Sequence, residues 1–281
     1  MAVLTALTAL GIWYLTPVSE VVISALLRTV PLQADLDLGR AAWQQDKSSA
    51  HSYTARYYDP YWTPRVERIG RQLVQTADSL SSSSPYPASA YNWDFAVLQD
   101  TQTVNAFCLP GGTVRVTLGL LQQLEDLTDG ELAALLGHEI GHVIHRHAQA
   151  RMLERNIVTI VLQALVYQDD DEHEESFGEA MGELLLKSAD WLGQQSFSRA
   201  NEYQADATSW DLLVSLRQSN KLQYHPNALT ALLRKLWEYH GRQGGNTAWD
   251  STHPGTLDRI QALEEKWQAL PRSQRKQWSR Q

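Results

Sequence analysis

The segment Thr128 to Ile144 constrains this chain more than any other. Thr128-Asp129-Gly130-Glu131 sets a hydroxyl three residues before a glutamate, the reciprocal capping pattern of a helix N-terminus. Leu132, Leu135, Leu136, Ile140, Val143 and Ile144 follow near helical spacing and give the helix an apolar surface to bury. Inside it stands His138-Glu139-Ile140-Gly141-His142. Residues four apart lie one above the other on a helix face, so both imidazoles can reach one metal ion at about 2.0–2.1 Å. Glu139 projects beside them, placed to take a proton from a water that the metal acidifies. The competing reading is two surface histidines on an amphipathic helix, and the apolar residues around them weigh against it. The helix is expected to run from Gly130 to about Arg155, with His145 and His147 as supporting or surface residues.

Cys108 is the single cysteine, which excludes an intrachain disulfide and any cysteine-rich metal site. Further ligands must be histidines or carboxylates. A catalytic metal wants a third protein ligand and one open position. The downstream candidates are Glu175, Glu179, Glu183 and Glu202. Ala200, Ala205 and Ala207 around Glu202 would let its helix approach the first one closely. Asp206, one turn later, could accept a hydrogen bond from the free ring nitrogen of a ligand histidine.

Around this helix the pattern is of a mostly helical α+β chain with a small antiparallel sheet. Helices are expected over Leu32 to Gln45, Val66 to Leu80, Phe177 to Trp191, Ser196 to Arg217, Pro226 to His240 and His253 to Leu270. Strand patterns occupy Tyr91 to Leu98, then Thr103 to Leu109 and Thr113 to Leu118 on either side of Pro110-Gly111-Gly112. Asn156 to Tyr167 is a further apolar run, and Asp169 to Glu175 an acidic loop, so the two stretches are placed as a possible lid, core packing being the plainer use of the first. Gly241 to Ser251 reads as a linker.

Of the 281 residues 43% are hydrophobic and 20% charged, enough for a real core. The net charge of −8 excludes a nucleic-acid-binding surface, which needs a clustered basic face. Ten Trp and eleven Tyr against four Phe suit a membrane interface, or half-buried positions in any core. Residues 1–31 form an apolar N-terminal segment: Ala2 to Val18 carry no charge and no Lys or Arg precedes Arg28. It reads as a membrane anchor or signal, or as an amphipathic helix packed on the domain of residues 32–281.

His138-Glu139-x-x-His142, Asn201-Glu202-x-x-x-Asp206, and Thr252-His253-Pro254 with Arg259-Ile260 together resemble the HtpX, BepA and LoiP branch of zinc metallopeptidases, related to the CAAX prenyl proteases. Asn105 to Gly112 is similar to the edge-strand motif that this family places beside its active site. The resemblance covers roughly Leu32 to Leu270 and implies a zincin-like fold of the Glu type with one zinc ion per chain and endopeptidase activity on polypeptides. By residue-wise transfer, Glu202 would be the third ligand, Asp206 would orient a ligand histidine, and Arg259 would be an ion-pair partner. His253 would stabilise the oxyanion, its plainer use being to cap the last helix. Asn105, Ala106 and Phe107 would offer a strand edge to extended substrate. Cys108 departs from the small residue expected there; a thiolate could block the open metal position, a buried inert thiol being the commoner use. The resemblance further implies envelope protein quality control, with the domain in a bacterial periplasm. The alternatives are a non-proteolytic, chaperone-like module on the same fold, and a zinc hydrolase of a non-peptide substrate.

Overall fold

The structure is a computed structural model that describes residues 18–48, 56–79, 85–124, 126–156, 196–218, 224–243 and 247–278. Outside the described residues lie the first part of the apolar N-terminal segment, the apolar run beyond Asn156, the acidic loop, the helix expected over Phe177 to Trp191, and with them Glu175, Glu179 and Glu183.

The described elements are α1 (Val18–Thr29), α2 (Leu32–Ser48), β1 (Arg56–Tyr57), α3 (Trp62–Ala77), β2 (Asp94–Leu98), β3 (Ala106–Leu109), β4 (Thr113–Thr117), α4 (Leu118–Gln123), α5 (Asp129–Ile144), α6 (His147–Arg155), α7 (Arg199–Gln218), α8 (Ala228–Arg242), α9 (Ala248–Thr252), α10 (Thr256–Ala269) and α11 (Arg272–Trp278). This is a mostly helical α+β body. Among the described residues no helix is long and apolar enough to cross a membrane.

Helix α5 forms as its sequence dictates. Thr128 Oγ1 accepts from Glu131 N at 3.2 Å and the Glu131 carboxylate accepts from Thr128 N at 2.8 Å, so two otherwise orphaned amides are satisfied at once. From Leu132 to Ile144 every residue is buried, because α3, α7 and α8 enclose the helix. Helix α3 supplies Val66, Ile69 and Leu73 to this core at one-turn spacing, each burial contributing about 1.5–3 kcal/mol.

Two expectations need correction. The helix of the histidine pair does not continue to Arg155: Arg146 takes the left-handed conformation (φ 57°, ψ 38°) and divides α5 from α6. The cause is remote. The buried Arg146 guanidinium donates to Asp35 Oδ1 at 2.7 Å and to the carbonyl of Leu27, on α2 and α1. The sheet, likewise, is mixed rather than antiparallel. Its order is β1-β2-β4-β3, with β2 and β4 parallel and the β1–β2 and β3–β4 pairs antiparallel. The Pro110-Gly111-Gly112 turn makes the expected hairpin, but the chain crosses over before β3, so β4 enters between β2 and β3. Strand β3 is therefore an edge, and it packs against α5. The stretch read as a linker contains the short helix α9.

A second apolar cluster joins Ile23 and Val30 with Ala34 and Leu38 of α2, Leu109, and Met152 and Leu153 of α6. From Val18 onward the N-terminal helices are thus docked on the body behind the histidine helix.

Helices α5 and α7 cross at close range. A Cβ on Gly141 would fall 2.9 Å from the Ala205 Cα and 3.1 Å from the Thr208 Cβ, so only glycine permits this separation. Ser209 Oγ, buried at the same crossing, donates to Ala134 O at 2.7 Å. Gly141→Ala is expected to lower stability by about 1–3 kcal/mol through overpacking, read as the urea midpoint. Gly241→Ala, where an added Cβ meets nothing within 4 Å, should be neutral or stabilising by about 0.5–1 kcal/mol.

Candidate metal centre

Helix α5 carries His138, Glu139 and His142; α7 brings Glu202 and Asp206; the C-terminal end of α9 brings His253; α10 brings Arg259. All seven side chains are buried. His138 Nε2 lies 3.0 Å from His142 Nε2, and each is 3.4 Å from an oxygen of Glu202. Ligand atoms of His138, His142, Glu202 and His253 all lie within 4.8 Å of one another. Both carboxylate oxygens of Glu139 and of Glu202, and His253 Nε2, have no hydrogen-bond partner. Imidazole lone pairs and carboxylate oxygens converging on one dry spot repel each other unless a cation stands among them.

The charge count points the same way. Glu139, Glu202 and Asp206 are three buried carboxylates and Arg259 one buried guanidinium, which leaves two negative charges for a divalent ion. Arg259 donates from Nε and Nη2 to the two oxygens of Asp206 at 2.8 and 2.7 Å. Its Nη1 is 2.6 Å from Glu202 Oε2 but off the hydrogen-bond direction, so that contact is coulombic. Asp206 Oδ1 in turn accepts from His138 Nδ1 at 2.9 Å, which fixes the tautomer that leaves Nε2 free.

The titration behaviour reflects this field. Burial pushes the Glu202 carboxyl up, but Arg259 and His253 overcome it and hold it well below the usual range. Asp206 falls to about 2 against its burial, through Arg259 and the His138 hydrogen bond. Glu139 also falls to about 2 against its burial, through His253, His138 and His142. Burial takes His142 down to about 4. His138 rises to about 9 although burial and Arg259 oppose it, because Asp206 and Glu202 hold its proton. Without a metal the site recruits a proton for the positive charge it lacks.

The structure thus brings together every residue expected at the centre from α5, α7, α9 and α10. Asn105 stands one residue before β3 rather than in it. Its carbonyl accepts from Thr117 N and Thr117 Oγ1 at 3.0 and 2.8 Å, and its side-chain oxygen accepts from Ala106 N at 3.0 Å. Ala106 is buried and Phe107 half-buried on the edge strand. Burial and the facing Glu139 carboxylate push the Cys108 thiol well up, so it stays protonated.

Three participants, Trp249, Phe197 and Gln204, were not foreseen, and His147, expected as a supporting or surface residue, takes a supporting place. Trp249 stacks on His253 with centroids 4.1 Å apart and 15° between planes, and Phe197 stacks on His142 at 3.9 Å and 21°. His147 and Gln204 sit behind His142. Trp249 precedes His253 by four residues, a spacing that would have suggested the stack had the segment been read as helix.

Residues 63–267 match the family described as Peptidase family M48. This chain belongs to that family. It is 30% identical over 267 residues to the mitochondrial metalloendopeptidase OMA1 of Schizosaccharomyces pombe, covering 94% of this chain and 70% of that protein. It is also 30% identical over 213 residues to the metalloprotease LoiP of Escherichia coli, covering 73% of each. With the mitochondrial metalloendopeptidase OMA1 of Arabidopsis thaliana the identity is 29% over 210 residues, and the match spans only 38% of that longer protein. The M48 chain described here is a metallopeptidase, a hydrolase of peptide bonds with polypeptide substrates and a metal-binding cluster of histidines and a glutamate.

In the metal-free protein, Glu139 and Asp206 titrate near 2 when folded against usual values of 4.5 and 3.8. Folded carboxyls held this low bind fewer protons than unfolded ones. The stability they contribute is complete above pH 4.5 and lost as pH falls toward about 2. Urea titrations across that window should show the loss, and Asp206→Asn should flatten its slope. Arg259→Leu strands two buried carboxylates and should cost about 3–5 kcal/mol in the same assay.

Proposed function

We propose that the chain is a zinc-dependent metalloendopeptidase of envelope protein quality control. His138, His142 and Glu202 hold the ion, and Glu139 is the general base. The observation that carries this reading is the set of unpartnered donor atoms, buried and within 4.8 Å, on a net negative site. Two imidazoles and a carboxylate are the donor set of a catalytic zinc. A zinc ion held there would polarise the scissile carbonyl and lower the pKa of the attacking water to about 7.

The chain's own residues do the rest. Glu139, held anionic, accepts the proton of the attacking water and returns it to the leaving amine. His253 Nδ1 lies 2.8 Å from the Thr252 hydroxyl, and its Nε2 lies 3.3 Å from Glu139 Oε1. With its proton on Nε2, this ring would offer an N–H to the oxygen that becomes negative as the carbonyl is attacked. Trp249 keeps the ring in plane. Asp206 keeps the His138 lone pair on the metal side. Residues Asn105, Ala106 and Phe107 lead into an edge strand against α5, which can take an extended substrate by backbone pairing. Strand addition selects for unfolded polypeptide, the form that quality control removes.

Membrane association through the apolar N-terminal segment, and a domain in a bacterial periplasm, complete the proposal. They rest on the charge-free run Ala2 to Val18 and on the likeness to LoiP.

Glu139→Gln should cut casein cleavage by about 10²–10⁴-fold while the purified protein keeps its zinc. A chelator should abolish cleavage and added zinc restore it. Cleavage by the variant at the parent rate would refute the role of Glu139. A zinc-loaded parent that binds unfolded clients without cutting them would instead support a binding module.

A further inference from the structure

His147 is buried, yet the chemistry above makes no use of it. In an unbroken helix, five residues of advance would turn it about 140° away from His142. The left-handed Arg146 redirects the chain, and His147 opens α6 with its ring beside His142. The two Nδ1 atoms are 2.8 Å apart and the rings meet edge to face, centroids 4.9 Å apart. On its other side, His147 Nε2 lies 2.9 Å from Gln204 Oε1, on α7.

These contacts fix the protons in sequence. The Gln204 oxygen can only accept, so His147 carries its hydrogen on Nε2 and presents the Nδ1 lone pair to His142. His142 then keeps its hydrogen on Nδ1 and its lone pair on Nε2. That nitrogen faces His138 Nε2 at 3.0 Å and Glu202 Oε1 at 3.4 Å, which is the tautomer a metal ligand needs. Phe197 closes over the face of the same ring.

We propose that His147, held by Gln204, is the positioning residue for the metal ligand His142, a neutral counterpart of Asp206 behind His138. The inference rests on His142 being a ligand, as read above. The two supports differ in kind. A carboxylate behind an imidazole strengthens it as a donor as well as orienting it, whereas a neutral imidazole mainly orients. Three buried carboxylates and one guanidinium already leave the charge of one dication to be supplied, and a fourth carboxylate would exceed it.

The test measures zinc affinity by competition with a chromophoric chelator, and the visible spectrum of the cobalt-substituted protein. His147→Leu should weaken zinc binding by about 10–100-fold and alter the cobalt spectrum. His147→Asn, with an amide oxygen to accept from His142 Nδ1, should recover most of both. Gln204→Ala, at an exposed position, should shift affinity the same way by a smaller factor. Parent-like affinity and spectrum in His147→Leu would overturn the proposal. So would a His147→Asn protein of native circular dichroism that binds zinc no better than His147→Leu. If His147→Leu fails to fold, Gln204→Ala decides, an unchanged affinity and spectrum counting against the proposal. Equal zinc binding by the parent and His142→Ala would defeat the ligand assignment itself, and the proposal with it.

Discussion

Arg259 is the interaction on which the site depends. It is buried with Glu202 and Asp206, and it reaches both from α10 while they sit one turn apart on α7. Desolvating three charges is costly, and the contacts among them roughly offset that cost only while all partners are present. The arrangement is therefore a poor source of stability and a good source of geometry. It sets the rotation of α7 about its axis, hence where Glu202 points. Through Asp206 it also sets the tautomer of His138 on α5. One guanidinium aligns two helices that have almost no sequence connection.

The same charge balance links metal binding to folding. With Arg259 counted, the buried carboxylates still carry an excess of negative charge, and His138 is driven to protonate when no ion is present. A cation held there would relieve repulsion already built into the folded chain. The site is preformed because α5 and α7 meet at Gly141 and Ala205 with no space to adjust. Preformation and unrelieved charge are two faces of one design: rigid packing keeps like-charged groups together until a cation joins them.

What was legible in the sequence was local. The capping box and the histidine pair are contacts over three and four residues, and the hairpin at Pro110-Gly111-Gly112 spans a single turn. All three formed where expected. What was illegible depends on distant partners. Alternation identifies strands but not their neighbours, so the parallel pairing of β2 with β4 was invisible. The break at Arg146 follows from Asp35, 111 residues away, and nothing between Ile144 and His147 announces it. Misreading that break also left His147 open between a supporting and a surface place, since a continuous helix points it away from the site. Glu202 was readable as a candidate from the small residues around it, but its carboxylate could be told from other downstream acids only by resemblance.

The two sides of the centre are built differently. Behind His138, His142 and Glu202 stand long helices, a helix crossing that only glycine permits, and the hydrogen-bond acceptors Asp206 and His147. In front, His253 comes from the end of a five-residue helix, held by the Trp249 stack and the Thr252 hydroxyl. Thr252 also approaches Asn105 Oδ1, at 3.4 Å, and its carbonyl accepts from Phe197 N at 3.2 Å. The residue that leads into the edge strand, the hydroxyl beside His253 Nδ1 and the aromatic ring that covers His142 are thus tied to one dipeptide. Displacing Asn105 by adding a strand at β3 would be felt at His253 through two hydrogen bonds, while the ligands behind it stay fixed. A centre with a rigid rear and a tethered front can hold its ion constantly while the group facing the carbonyl responds to the substrate.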